Sequence, residues 1–160
     1  MHVRALTPSD YAWVVALGTA NEIETGPIDV AWLEAMSREW FVGAAAGERE
    51  AFAIIFDERA DYSSPNFLWF RERFARFAYV DRIVVSESAR GKGLARALYE
   101  DVFAQARRAG HERVVCEVNF DPPNPGSDAF HAKLGFSEIG RATLANGKGV
   151  RYLERLIGAD

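Results

Sequence analysis

At 160 residues and 17.8 kDa the chain is long enough to bury a core without staples, and one domain over residues 1–160 is expected. A content of 49% hydrophobic and 26% charged residues excludes a disordered chain, a collagen and a disulfide scaffold, while the one cysteine, Cys116, permits no internal disulfide and suits a reducing cytoplasm. The net charge of −4 argues against general nucleic-acid binding; residues 1–80 stand at −5 and residues 81–160 at +1, which favours the second half for an anionic ligand.

Val3–Leu6 reads as a short strand. Thr7-Pro8-Ser9-Asp10 then has the chemistry of a helix start, with Thr as N-cap, Pro at the first helical position and an acid three residues after the cap. Tyr11, Val14, Val15 and Leu17 follow at helical spacing, and Gly26-Pro27 breaks the chain. Asp29 is expected to cap a second helix that carries Val30, Leu33 and Met36. Phe41–Ala46 and Ala51–Phe56 are apolar runs joined by Gly47-Glu48-Arg49-Glu50, the pattern of a hairpin. Residues 61–66 have loop chemistry, and Phe67, Phe70 and Phe74 have the spacing of a short helix or an ordered loop. Phe77–Val85 is a strand, Gly93–Arg108 a helix ended by Gly110, and Arg113–Val118 a buried strand. Asp121–Ser127 reads as a proline-rich loop, Ala129–Leu134 as a helix ended by Gly135, and Phe136–Gly140 and Val150–Leu156 as the last strands. The alternation predicts an α/β or α+β sheet with parallel pairing in its second half. No run approaches the roughly 18 apolar residues of a membrane span, and the first residues lack the apolar stretch of a signal peptide. The expected location is cytoplasmic, with no membrane partner.

The segment Val84-Val85-Ser86-Glu87-Ser88-Ala89-Arg90-Gly91-Lys92-Gly93-Leu94-Ala95-Arg96 runs strand, loop, helix. Free N–H groups at a helix start attract anions, Gly91 and Gly93 admit a close ligand, and Arg90, Lys92 and Arg96 add positive charge. The plainer alternative is a glycine turn before a solvated basic helix. Neither a P-loop nor a dinucleotide fingerprint fits, since Gly-x-x-x-x-Gly-Lys-Ser/Thr is absent and Arg96 stands where the third glycine of Gly-x-Gly-x-x-Gly belongs.

Arg90-Gly91-Lys92-Gly93-Leu94-Ala95 does resemble the acetyl-CoA loop of the GNAT superfamily of N-acetyltransferases, Arg/Gln-x-x-Gly-x-Gly/Ala. Downstream, Asn124 to Phe136 is similar to the family's Asn-x(4)-Ala-x-Tyr-x-x-x-Gly-Phe segment, with order and spacing matching from about residue 3 to 156. The resemblance implies a mixed sheet, flanked by helices, that splays open beside its fourth strand and holds acetyl-CoA in the V. It implies backbone contacts to pantetheine from Ile83, Val84 and Val85, pyrophosphate binding by Gly91, Lys92, Gly93, Leu94, Ala95 and Arg96 next to Arg90, and a contact from Asn124 on the other arm.

Acetyl transfer to an amine needs a base for the ammonium proton and a way to release a thiolate. In Arg113–Asn119 strand alternation puts Glu117 on the face opposite Val114, Cys116 and Val118, and a carboxylate in an apolar strand is costly unless paired or functional. The resemblance makes Glu117 the first choice of base, often through water in relatives; the alternatives are an arginine pair or an exposed strand face. Asp81, read as sharing a face with Tyr79 and Ile83, is the second choice, and pairing with an arginine is its plainer role. His131 stands where the family carries tyrosine. It is expected beside the sulfur as acid or ligand, or else as a polar helix residue next to Phe130 and Leu134. Cys116 reads as a buried inert thiol rather than a nucleophile. His2, His111 and His131 are scattered, so no metal is expected.

The expected activity is acetyl-CoA-dependent acetylation of a primary amine on a small molecule or peptide. The rivals are a non-catalytic acyl-CoA sensor and a Cys116 thioesterase. The aromatic residues of 66–79 suit an acceptor site, a core or a homodimer face alike.

Overall fold

A computed structural model describes residues 2–158. The strands are β1 (Val3–Ala5), β2 (Val42–Ala46), β3 (Ala51–Asp57), β4 (Ala78–Val85), β5 (Arg113–Asp121), β6 (Ser137–Thr143) and β7 (Gly149–Leu156). The helices are α1 (Tyr11–Ala20), α2 (Glu22–Thr25), α3 (Val30–Met36), α4 (Pro65–Arg71), α5 (Leu94–Arg108) and α6 (Pro125–Lys133). All seven strands form one sheet in the order β1-β2-β3-β4-β5-β7-β6. Every neighbouring pair is antiparallel except β4 and β5.

The parallel pair is short, with register contacts only at Ala78↔Val114 and Tyr79↔Val115. Beyond these residues the two strands diverge, and residues 80–85 have β3 as their only strand partner. This is the splay that the family resemblance implied. Apolar alternation along the strands fills both faces. Leu98, Val102 and Ala106 of α5 pack with Val80, Val114, Cys116 and Val118 on one face. Val14 of α1, Leu33 of α3, and Phe67 and Phe70 of α4 pack with Phe52, Phe56, Tyr79, Val115 and Tyr152 on the other.

The boundaries differ from expectation in several places: β5 runs on to Asp121 and β6 to Thr143, past the expected Val118 and Gly140, because their pairing with β7 continues that far. Helix α6 starts at Pro125, not Ala129, because Asn124 is its N-cap and accepts from the Ser127 N–H at 3.3 Å. The proline before the apolar run is thus the first helical residue rather than loop. Helix α2 was not anticipated; its four residues are too few for a periodic pattern. Asp29 caps α3 as expected, accepting from the Trp32 N–H at 2.7 Å.

The first turn is tied down by Asp10. Its two oxygens accept from Arg4 at 2.8 Å each, from the Thr7 N–H at 2.9 Å and from the Trp13 indole at 2.9 Å. These bonds, Arg4 first, hold the carboxyl well below the usual carboxylate range. A carboxyl depressed in the folded state stabilises fully above its unfolded value of about 3.9 and loses that contribution as pH falls. Arg4 is 39% exposed, so solvent screens the pair. Asp10→Asn is expected to cost about 1–2 kcal/mol at neutral pH, with the gap from the parent closing below about pH 4. Urea titrations at neutral and acid pH check this.

Candidate functional site

The glycine loop Arg90–Gly93 follows β4. Gly91 and Gly93 have φ of +83° and +82°, in the left-handed region that side chains disfavour, and a Cβ at either would meet nothing within 4 Å. Gly93 is the N-cap of α5, so the first N–H groups of this helix face open space. The Leu94 side chain is buried in the core and leaves only its backbone to a ligand. Arg90 donates to Asn21 at 3.1 Å, while Lys92 and Arg96 make only long contacts to Glu50 (3.5 Å) and Glu100 (4.0 Å). A groove of about 520 Å³ runs from here along Ile83, Val84, Val85 and Ala95 to Asn124, Gly126 and Ser127.

The groove meets a second cavity, about 270 Å³, and both are lined by Ile83, Asn124, Ser127 and His131. This inner cavity lies in the mouth of the splay and reaches Asn66, Asp81, Arg82, Tyr99, Cys116 and Glu117. The candidates on β4, β5 and α6 therefore come together although they are distant in sequence. At its outer rim the Lys148 ammonium donates to the Ile23 carbonyl at 2.8 Å.

Glu117 lies on the α4 face of β5, as the alternation required. Both its oxygens accept from the Tyr79 hydroxyl, at 2.8 and 2.9 Å, and one also accepts from the Asn66 amide at 2.9 Å. Tyr152 donates to the Asn66 carbonyl oxygen at 2.9 Å and so fixes which end of the amide faces Glu117. No arginine pairs with Glu117. Burial, and then the nearby Asp81 carboxylate, push its carboxyl up to about 8, against the opposing hydrogen bonds from Tyr79 and Asn66.

Asp81 sits differently from expectation. The register of β3 against β4 shifts from Ile54↔Arg82 to Ile55↔Val80, which leaves Asp81 as the extra residue of a bulge. The alternation breaks there: Tyr79 packs on the α4 face and Ile83 on the α5 face, so the two do not share a side. Asp81 and Arg82 then project together and pair at 2.8 Å, and Tyr62 donates to the other Asp81 oxygen at 2.6 Å. Arg82 in turn lies over the Trp32 ring. Asp81 has the arginine partner that its plainer reading named.

His131 is buried, with Nδ1 at 2.7 Å from the Ser127 carbonyl and Nε2 at 2.6 Å from the Tyr99 hydroxyl. Burial lowers its pKa below the ordinary histidine value. Cys116 is buried on the opposite face from Glu117, and its thiol is pushed far up by burial, as befits an inert sulfur. Phe67, Phe70 and Phe77 of the aromatic segment are core residues with no exposure. Of that segment Asn66 lines the cavity, while the Tyr79 hydroxyl reaches it through Glu117, as the Tyr62 hydroxyl upstream does through Asp81. Sequence reasoning did not single out Asn66, Tyr62, Tyr99 or Tyr152. Tyr99 and Tyr152 fit helical or strand spacing, Tyr62 and Asn66 fall in the segment with loop chemistry, and only the fold shows where each polar tip goes.

One further cluster, Asp57, Glu58 and His111, brings its possible ligand atoms within 4.8 Å of one another. It lies at the closed end of the β4–β5 pair, away from both cavities, and Arg59 and Arg76 already contact its carboxylates.

The sequence profile of the Acetyltransferase (GNAT) family matches residues 19–136, well over half the chain. No curated protein gives a significant match. Similar folds occur in an N-acetyltransferase from Staphylococcus aureus (20% identity, 98% of each chain covered, TM-score 0.73). They also occur in a ribosomal-protein-alanine N-acetyltransferase from Brucella melitensis (19% identity, 98% of this chain and 99% of that one, TM-score 0.72). A third is yncA of Salmonella typhimurium, solved with its cofactor acetyl-CoA (18% identity, 100% of this chain and 95% of that one, TM-score 0.69). Among the described residues no helix is long and apolar enough to cross a membrane. With the profile match spanning the loop, the splayed strands and α6, the chain belongs to the GNAT family and is an acetyltransferase.

Proposed function

We propose that the protein takes the acetyl group from acetyl-CoA and passes it directly to a primary amine of a small molecule or a peptide, with Glu117 as the base. The observation that carries this is a buried carboxylate with no cationic partner, in a cavity that opens into the groove at His131 and Asn124. The groove suits the cofactor on its own terms. Bare glycines and a helix start favour the pyrophosphate, and the free edge of β4 at residues 80–85 offers backbone groups to an extended amide chain. Acetyl-CoA supplies the activated acyl group, and the chain supplies the rest. Loop and helix orient the cofactor, Tyr79 and Asn66 orient Glu117, and Glu117 removes the ammonium proton so that the nitrogen lone pair can attack. Asp81 is held by Arg82 and Tyr62, and its carboxylate lies near enough to help raise the Glu117 pKa rather than acting first itself.

A cavity near 270 Å³ under the Lys148–Ile23 contact admits a small amine or the first residue of a peptide. The Brucella relative, named as a ribosomal-protein-alanine N-acetyltransferase, supports the second class, and the small volume supports the first. An acetylation screen over amines, polyamines, amino acids and short peptides, read by mass, tests the proposal. Acetylation on a nitrogen of at least one member is expected; transfer to none of them would refute it.

A further inference from the structure

Releasing a thiolate from the cofactor calls for a hydrogen-bond donor beside the sulfur. On the direct-transfer reading, the thioester must pass from the groove into the inner cavity at His131. The donors there are few. Tyr62 and Tyr79 give their hydroxyl protons to Asp81 and Glu117, and Tyr152 gives its own to Asn66. His131 has none to give. Its Nδ1 lies 2.7 Å from the Ser127 carbonyl, which can only accept, so Nδ1 holds the ring proton. Nε2 is then an acceptor, and the Tyr99 hydroxyl donates to it at 2.6 Å. Among the described residues the lining also holds the Thr25 hydroxyl, which donates to the Asn21 carbonyl, and the Ser127 hydroxyl, 3.2 Å from Nδ1. Tyr99 is the phenol of the cavity, and its proton goes to a neutral nitrogen acceptor rather than to a carboxylate or an amide.

We propose that Tyr99 donates to the leaving sulfur and that His131 is a positioning residue which holds the phenol at the junction of groove and cavity. The sequence expectation of a proton from position 131 thus moves to its hydrogen-bond partner on α5. As the amine nitrogen bonds to the acetyl carbon and the C–S bond breaks, Tyr99 turns its O–H from Nε2 to the sulfur. The sulfur keeps the bonding electron pair and receives the phenolic proton. Glu117 has already passed the ammonium proton to solvent; it takes the second N–H proton as the amide forms, and solvent carries one proton back to the phenolate oxygen, so each turnover releases one net proton. One amide and one thiol result, and both side chains return to their starting states.

The test does not require an acceptor. CoA is bound to the protein and its thiol is titrated by ultraviolet thiolate absorbance; Cys116, buried and pushed far up, stays silent. The bound thiol is expected to titrate below the ordinary thiol value of about 8.5, and Tyr99→Phe to raise it by about one unit, tenfold in the thiolate equilibrium. With an acceptor, Tyr99→Phe lowers kcat on the order of 10²-fold while CoA affinity stays within about threefold. Tyr99→Phe/His131→Tyr returns a phenol from α6 and recovers at least about tenfold of that loss, which a purely structural His131 would not allow. Tyr99→Phe/His131→Leu removes both partners of the buried bond, leaves neither unsatisfied, and provides a folded comparison if the single variant melts. An identical thiol titration in parent and folded variant overturns the assignment. Failure to acetylate any amine would count against the transfer reading alone, because the thiol titration still decides whether Tyr99 faces the sulfur.

Discussion

Glu117→Gln is expected to lower turnover on the order of 10²–10⁴-fold, the range for loss of one general base. Glutamine keeps the shape and can still accept from Tyr79, so the cavity should persist. The pH profile separates chemistry from packing. With the Glu117 carboxyl pushed up to about 8, only a minor fraction is ionised at neutral pH, and the parent's kcat/KM for the amine should rise through that value. The variant should lack this limb and keep only the ionisation of the amine itself. Tyr99 is held well above its ordinary value by burial, so no descending limb is expected near neutrality; a histidine acid would have produced one. Stability moves the opposite way. A group raised in the folded state contributes stability below its unfolded value of about 4.3 and loses it as pH climbs to the folded value. Glu117→Gln should therefore be more stable than the parent at pH 8 and above, and the advantage should vanish near pH 4. Full turnover in the variant, with the limb near 8 intact, would make Glu117 a packing residue.

Gly93→Glu should abolish CoA binding, with affinity falling at least about a hundredfold in calorimetry. Three effects add. The side chain occupies the open space in front of the α5 N-terminus. Its charge opposes the pyrophosphate where the helix end favours anions. And the left-handed backbone at φ +82° costs a non-glycine residue roughly 1–2 kcal/mol. Gly93→Ala imposes the strain with little bulk and no charge, so it should lose far less. If Gly93→Glu folds and binds CoA as the parent does, the loop is not the phosphate site.

The legible parts of this chain were those in which neighbours in sequence do the work. Asp29, Gly91 and Gly93 act within one turn of themselves, and their residue types announced a cap and a glycine turn into a helix before any fold was known. The face of Glu117 followed from simple alternation on β5. Alternation failed on β4 because a bulge depends on the partner strand, and the pairing of β3 with β4 puts an extra residue at Asp81. That shift joins Asp81 to Arg82 and separates Tyr79 from Ile83. Asn124-Pro125 carried the signature of a helix start but was hidden in a loop-like run of prolines. Tyr99 was the hardest to read. It lies beside Leu98 in the buried stripe of α5 and reads as core, and only its hydroxyl, 2.6 Å from His131, shows another use.

The central claim is direct transfer from CoA to an amine, and thiol release on mixing protein with acetyl-CoA tests it most directly. Each acceptor is added or withheld, and the free thiol and the acetylated amine are counted together. The account predicts release only when an accepted amine is present, with one acetylamine formed per thiol. Release without any amine would mean hydrolysis, and no release from a protein that binds CoA would mean a sensor; either result contradicts it.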